Sequence, residues 1–221
     1  MASTFYIRIG KRSLDATASA VGLLALSPVF FLVALLVKAT SPGPIFFRQG
    51  RVGQFQKPFR IFKFRSMRVN SASGGSLLTS AGDSRVTPLG RFLRKWKLDE
   101  LPQLINVFVG EMSLVGPRPE VPEYTAAYTI DQQQVFEQKP GITGPAAISN
   151  VREEELLAAQ ADKQKFYLGV LLPAKLAVDL DYCAKISLFE DLRLVLLTLA
   201  SIVSRPAPSH SPLIGMPEKL N

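Results

Sequence analysis

The 221-residue chain contains a single cysteine, Cys183, and a single histidine, His210. A lone cysteine can neither close an internal disulfide nor build a multi-cysteine zinc site. His210 lies in a Pro/Ser-rich tail. Histidine zinc clusters, Ser-His-Asp triads and imidazole general-base chemistry are therefore excluded from the body of the chain. Any chemistry must run on carboxylates, cations and backbone groups. Acids are also scarce early on: residues 1–98 hold only Asp15 and Asp83 against 16 Lys and Arg, whereas residues 99–221 hold 16 acids against 10. At 47% hydrophobic and 20% charged, the composition is too apolar for a disordered chain. The length suits one domain, or one domain with an appendage.

The formal charge of +8 comes from the first half, and a basic half seeks polyanions: nucleic acid, anionic lipid headgroups or nucleotide phosphates. Leu14–Val37 favours lipid. It is a 24-residue run with one charge, Asp15, near its start. A straight helix of this length spans ~36 Å, enough to cross a hydrocarbon core of ~30 Å. Two features argue for a dip instead of a crossing. Both flanks are basic, with Arg8, Lys11 and Arg12 before and Lys38, Arg48 and Arg51 after, so both ends favour the cytoplasmic side. Ser27-Pro28 also sits near the middle, where Pro28 cannot donate to the Leu24 carbonyl and the Ser27 hydroxyl can satisfy a freed carbonyl one turn back. From the residues alone, a re-entrant hairpin and a kinked spanning helix stand level. A cleaved signal peptide fits less well, because Lys38 follows the run with no small-x-small site. Nucleic acid is the poorer partner, since it gives the apolar run no purpose.

Residues 39–60 read as turn-rich, Ile61–Met67 as a short strand and Asn70–Gly82 as a Gly/Ser-rich loop. Thr87–Lys97 predicts a short basic amphipathic helix and Leu101–Val109 a second helix. Asp131–Glu137 reads as helical, and Glu153–Leu180 as a helix broken at Pro173. Phe189–Val203 is a last helix, too short to span and suited to burial or to the membrane interface. The expected fold class is mostly α with few short strands (α+β).

The sharpest local feature is Lys97-Leu98-Asp99-Glu100-Leu101-Pro102-Gln103. Pro102 is tolerated only in a first helical turn, so a helix is expected to begin close to Asp99 or Glu100. Plain N-capping by Asp99 would explain one acid there. The cations upstream, Arg85, Arg91, Arg94, Lys95 and Lys97, exceed what a cap needs. An Asp kept ionised by such neighbours can attack phosphorus, and an adjacent Glu can hold Mg²⁺. Gly116-Pro117-Arg118-Pro119 fixes one arginine between two prolines, as a stiff turn or as a pre-organised guanidinium for phosphate. Lys139–Gly144 offers glycine backbone, a weak signal, and Arg152 precedes three acids as a helix-start ion pair would.

In order along the chain stand Lys11-Arg12, Ser27-Pro28, Pro42–Phe47, Phe62–Met67, Asp83, Arg85–Thr87, Leu93–Lys95, Leu98–Gln103, Met112–Pro119 and Lys139–Gly144. Together these motifs resemble the monotopic phosphoglycosyl transferases, the bacterial sugar transferase family that starts lipid-linked glycan assembly. The resemblance runs from about residue 8 to about residue 203 and is to the minimal catalytic form. It implies transfer of a sugar phosphate from a UDP-sugar to polyprenyl (undecaprenyl) phosphate, with release of UMP. It implies that Asp99 forms a phosphosugar intermediate and that Glu100 helps Asp99 bind Mg²⁺. It sets Pro117, Arg118 and Pro119 at the nucleotide and Arg85, Arg94 and Arg152 near phosphates. Arg12, Ser27 and Pro28 fall to a re-entrant membrane hairpin over residues 1–40, followed by a catalytic domain over 41–204 with interfacial amphipathic helices and a tail over 205–221. The implied setting is the cytoplasmic face of a bacterial inner membrane, on anionic phospholipid and without nucleic acid. The family has dimeric members, which leaves a homodimer open. Where many relatives have Trp and then a Gly-Arg pair, this chain has Pro145–Ile148 and Asn150–Arg152; Asp179 matches an acidic position of the family. Two rival readings stand beside this one: a non-catalytic membrane-surface scaffold, and a one-step transferase in which Asp99 only binds metal.

Overall fold

The computed structural model describes residues 6–68, 77–149 and 153–204. Arg152, the Gly/Ser-rich stretch over 70–76 and the tail over 205–221 lie outside the described residues. The described chain is mostly helical with four short strands, as its composition and patterning predict.

Lys11–Ala25 (α1) and Ser27–Thr40 (α2) meet at Leu26 with a bend of 62°. The cause is local. Pro28 lies in the first turn of α2 and has no N–H to give, and the Ser27 hydroxyl donates instead to the Leu24 carbonyl at 2.8 Å. The arms form an open V. Among the described residues no single helix is long and apolar enough to cross a membrane, although this pair passes that test jointly. The pair is not detached from the remainder: Val33 and Val37 of α2 share one buried cluster with Phe64 and Leu93. Arg12 of α1 donates to the carbonyls of Val107 (2.7 Å) and Phe108 (2.8 Å), at the end of Gln103–Val109 (α4). It thus reinforces the carbonyls at the helix terminus, where Val107 also accepts from the Gly110 N–H at 3.0 Å. Buried Asp15 accepts from the Leu114 N–H at 3.0 Å.

Phe46–Val52 (β1) pairs antiparallel with Pro58–Phe64 (β2), from Phe46↔Phe64 to Val52↔Pro58. The turn-rich reading of residues 39–60 misses β1, because Gly50 and the flanking glycine and prolines mask a strand made by its cross-strand partners. Side chains alternate along β2, so Phe59, Ile61 and Lys63 share a face. Phe59 and Ile61 pack with Val107 and Met112. Fully buried Asn106 of α4 covers the free edge of β2: its Oδ1 accepts from Phe62 N–H (3.0 Å) and its Nδ2 donates to the Arg60 carbonyl (2.9 Å). Pro88–Lys95 (α3) starts at Thr87, whose hydroxyl accepts from the Gly90 N–H at 2.9 Å.

Ser113–Val115 (β3) and Gly141–Thr143 (β4) form a short parallel pair. Gly116 ends β3 where two backbones nearly touch: a Cβ there would lie 2.3 Å from the Lys139 carbonyl oxygen, and one on Gly141 would lie 2.1 Å from the Gly116 nitrogen. The glycines of these two motifs are therefore explained by backbone packing. Short helices Pro122–Thr125 (α5), Pro145–Ser149 (α6), Glu153–Ala158 (α7) and Lys163–Phe166 (α8) lead to Leu172–Lys185 (α9) and Leu188–Ser204 (α10). The expected break at Pro173 is not there. Pro173 sits in the first turn of α9, and the turn before it, Tyr167–Leu171, widens into a π-helix; the interruption falls at 159–162. The largest buried cluster gathers Tyr124, Tyr128, Leu157, Tyr167, Leu171 and Leu176.

Gly116→Ala is expected to destabilise the protein at the upper end of the ~1–3 kcal/mol typical of overpacking. Gly50→Ala, with no atom within 4 Å of the added methyl, should change stability by less than ~0.5 kcal/mol. Denaturant unfolding of both variants checks this, and equal effects would contradict the packing argument.

Candidate active site

The acidic pair lies on a single 3₁₀ turn, Leu98–Glu100, ahead of α4. Lys97 just before it adopts a left-handed backbone (φ 55°), which turns the chain sharply out of α3. A helical turn does begin close to Asp99, as expected, but it is 3₁₀ and not α. α4 starts at Gln103, because Leu101 and Pro102 continue the coil without opening the α-helical ladder. Asp99 caps nothing: it is buried, and its Oδ1 has no hydrogen-bond partner. N-capping therefore does not account for this residue, and an orphaned buried carboxylate oxygen asks for another role.

Glu100 is neutralised from two sides. Lys63 Nζ from β2 donates to its Oε1 at 2.7 Å, and Arg118 Nη2 lies 3.5 Å from the same oxygen. Burial works to raise the Glu100 carboxyl, but the charges of Lys63, Arg118 and Lys97 outweigh it and hold the group well below the ordinary carboxylate range. Asp99 goes the other way. Burial pushes its carboxyl up, and the Glu100 charge adds to that push; Lys63, Arg94 and Lys97 offset only part of it. Of the upstream cations, Arg94 and Lys97 do act on Asp99 in the expected direction, but burial outweighs them. Arg85 forks onto Asp83 (Nε–Oδ1 3.0 Å, Nη2–Oδ2 2.6 Å), Arg94 pairs with Glu154, and Lys63 and Arg118 serve Glu100. The two neighbouring carboxyls are thus shifted in opposite directions, Glu100 down by its cations and Asp99 up by burial.

The segment Pro117–Glu120 is pinned along its backbone. The Pro117 carbonyl accepts from Gly141 N–H (2.9 Å), and Arg118 N–H donates to Asp179 Oδ2 (3.0 Å). The Pro119 carbonyl accepts from Arg51 Nη1 (2.9 Å) and the Glu120 carbonyl from Val52 N–H (3.0 Å). Asp179 Oδ1 also accepts from Ala146 N–H (3.1 Å), so this one buried carboxylate staples the arginine turn to α6. Asp179 had only a family position to recommend it; its geometry supplies the role. Burial raises its carboxyl to about 6, against the pull of the two backbone N–H groups and of Lys175 and Arg118.

A cleft of about 2160 Å³ collects these groups. Asp99, Glu100, Lys63, Arg118 and Glu120 line it, together with Arg85 and Arg94, while Gly22, Leu26, Leu104 and Leu199 give it apolar walls. Of the residues the sequence singles out, Asp99, Glu100, Arg85, Arg94 and Arg118 come to one cleft. Pro117 and Pro119 stiffen the arginine turn, and Arg12, Ser27 and Pro28 shape the helix pair instead. The sequence reading gives no site role to Lys63, Arg51, Glu120 or Lys175, although Arg51 figures in it as a basic flank and Lys63 within a family motif. For Lys63 a signal existed, since β-alternation sets it on the face of Phe59 and Ile61. For the other three no local signal existed. Among the described residues no group of three or more His, Cys, Asp or Glu gathers to hold a metal. Two adjacent carboxylates are nonetheless a donor set that suits Mg²⁺, which completes its shell with substrate phosphates and water.

The profile of the bacterial sugar transferase family matches residues 6–205. Over 199 residues the chain is 39% identical to the UDP-glucose:undecaprenyl-phosphate glucose-1-phosphate transferase of Escherichia coli (strain K12), covering 87% of this chain and 40% of that protein. It is 37% identical over 199 residues to the UDP-N-acetylgalactosamine-undecaprenyl-phosphate N-acetylgalactosaminephosphotransferase of Aeromonas hydrophila, covering 88% and 44%. With the exopolysaccharide production protein PSS of Rhizobium leguminosarum bv. phaseoli it shares 36% identity over 202 residues, covering 88% and 96%. The chain therefore spans less than half of the first two proteins and nearly all of the third.

The raised Asp179 carboxyl has a definite consequence for stability. Its folded value of about 6 lies above the ordinary ~3.9 of an unfolded chain. Its contribution to stability is therefore full below pH ~4 and is lost as pH rises through about 6. The melting temperature of the wild type minus that of Asp179→Asn should fall between pH 4 and pH 7. A difference that grows over this range would contradict the assignment.

Proposed function

The chain belongs to the bacterial sugar transferase family, and on that premise we propose that it moves a sugar phosphate from a UDP-sugar to undecaprenyl phosphate and releases UMP. The observation that carries this reading is Asp99: a buried carboxylate with an unpartnered Oδ1, lining a cleft beside an ionised Glu100 and the Arg118 guanidinium. In the proposed first step an Asp99 carboxylate oxygen attacks the β-phosphorus of the donor. An Asp99–phosphorus acyl phosphate bond forms, the bond from that phosphorus to the bridging oxygen breaks, and UMP leaves with the electron pair. In the second step an oxygen of undecaprenyl phosphate attacks the same phosphorus, which forms the diphosphate link and returns the Asp99 carboxylate. Division into two steps lets two bulky anions use one site in turn.

Asp99 and Glu100 would hold Mg²⁺, which at this place would offset the negative charge that repels an attacking carboxylate. Arg118 would orient donor phosphate, with its backbone already fixed by Asp179. The arginines at Arg85 and Arg94, on the cleft wall, would add positive potential for the approach of both anions.

The acceptor's tail must stay in lipid while its phosphate meets a water-soluble donor. The bent pair α1/α2 supports a dipping anchor at the cytoplasmic face of a bacterial inner membrane. Leu24 and Phe31 of this pair are 76% and 73% exposed, and Phe189 of α10 is 77% exposed. Outward-facing residues this apolar suit lipid better than water. The relatives' names, which include glucose, N-acetylgalactosamine and exopolysaccharide, support a donor of the UDP-hexose class and a place at the start of glycan assembly.

The test is UMP release by nanodisc-held protein with undecaprenyl phosphate, Mg²⁺ and a panel including UDP-glucose and UDP-N-acetylgalactosamine. Turnover is expected with one donor and is expected to cease without acceptor or Mg²⁺. Asp99→Asn should lower kcat by ~10⁴ or more. Radiolabel from the donor's β-phosphate should stay on wild-type protein denatured during turnover, and not on the Asn variant. Near-normal turnover by that variant would sink the covalent mechanism.

A further inference from the structure

Next to the Arg118 turn lies a buried polar cluster that the proposed chemistry does not use. Lys175 of α9 is 4% exposed, yet its ammonium is fully engaged. It reaches the Tyr167 hydroxyl at 3.0 Å, Glu153 Oε2 at 3.2 Å and Glu120 Oε1 at 3.4 Å. Tyr167, itself 2% exposed, donates its hydroxyl to Glu120 Oε1 at 2.6 Å. The ammonium also lies 4.8 Å from the Tyr167 ring centroid. From the β1 side, Arg51 Nη1 stands 3.6 Å from Glu120 Oε2. Glu120 is thus gripped by a lysine, a tyrosine and an arginine from three different elements, two residues after Arg118.

A cluster like this is expensive to bury. An apolar core of the same volume serves stability as well or better than a buried ion pair. The Lys175 ammonium and the Tyr167 hydroxyl are engaged within the cluster; the buried Arg51 Nε is its one unpartnered donor among the described residues. What it does do is fix position. Lys175 and Asp179 stand four residues apart on α9, on one helix face. Asp179 holds the Arg118 N–H, and Lys175, with Tyr167, holds the Glu120 carboxylate. The helix therefore grips the turn at two points on either side of Pro119. The Arg118 side chain, meanwhile, is held only loosely by Glu100 at 3.5 Å and stays 30% exposed. A guanidinium that must be free to take a ligand needs a backbone that is not.

We infer that Lys175 and Tyr167 are positioning residues that act through Glu120 to fix the Arg118 guanidinium for an anionic ligand. The inference rests on the proposed function, in which that ligand is the phosphate of a uridine nucleotide. Both residues line the same cleft, but their polar atoms are taken up by Glu120 and Glu153, so their effect on the ligand passes through the turn.

The test is calorimetric binding of UMP, with Mg²⁺, to the full chain in nanodiscs. Lys175→Met, Tyr167→Phe and Arg118→Ala are measured alone and in pairs, with the melting temperature of each. Each of the first two should weaken UMP binding about tenfold, as loss of a supporting contact does. In the Arg118→Ala background each should cost less than about twofold, because the group they position has gone. A purely structural role would lower the melting temperature and leave the binding of folded protein unchanged in both backgrounds. Equal losses with and without Arg118, or no loss at all, overturn the inference and leave the proposed function standing. A wild type that binds no UMP overturns both. Tyr167→Phe keeps its ring and packing, so it answers the question even where Lys175→Met does not fold.

Discussion

Glu100 stands between Lys63 and Arg118 with its side chain only 12% exposed, and the need to bring two cations to one largely shielded carboxylate organises much of the molecule. One cation has to come from β2 and the other from the turn after β3, so both must pack against the same 3₁₀ turn. An ionised carboxylate left alone at that depth would cost several kcal/mol. With Lys63 bonded to Glu100 and Arg118 at the edge of contact with it, the neighbouring Asp99 keeps an orphaned oxygen, and burial, with the Glu100 charge, raises its carboxyl. The asymmetry of the pair follows from burial at Asp99 and from close cations at Glu100. It is also what makes the two acids chemically distinct.

The supports of this arrangement are largely backbone contacts. Asn106 holds β2 against α4, Arg12 closes the far end of α4, and Asp15 ties α1 to Leu114 of β3. Asp179 and Arg51 pin the arginine turn from opposite sides. The bent N-terminal pair is therefore part of the scaffold of the cleft. Its α1 holds the helix that follows the acidic turn, and its α2 packs on Phe64, the neighbour of Lys63. A second clasp works at the same end: Tyr6 and Tyr182 donate to Asp191 at 2.6 and 2.5 Å, and Lys11 pairs with it, which joins the start of α1 to α10. The two segments with the most outward-facing apolar side chains are thus fastened to each other through one carboxylate.

Several elements could be read directly from the residues. Pro28 with Ser27 gave the bend and even the carbonyl that the serine satisfies; Thr87-Pro88 gave the start of α3. Local rules suffice there, because each partner lies within one helical turn. The reading failed where the partner is distant. β1 was missed because its only evidence is β2. Pro173 reads as a break because a π-turn that accommodates a following proline has no local signature. The Lys139–Gly144 glycines suggested ligand approach, but their neighbour is the backbone of Gly116.

The sequence by itself determined the chemistry available. Without a second cysteine or a usable histidine it left carboxylates and cations, and the order of its motifs carried the family. Tertiary structure alone decided how charge is shared among them. Of five cations near the acidic pair in sequence, Arg85 and Arg94 are drawn off by Asp83 and Glu154, while Lys63 and Arg118, 37 and 18 residues from Glu100, supply its neutralisation. Coulomb attraction is set by separation in space and by burial, and neither is a function of separation along the chain.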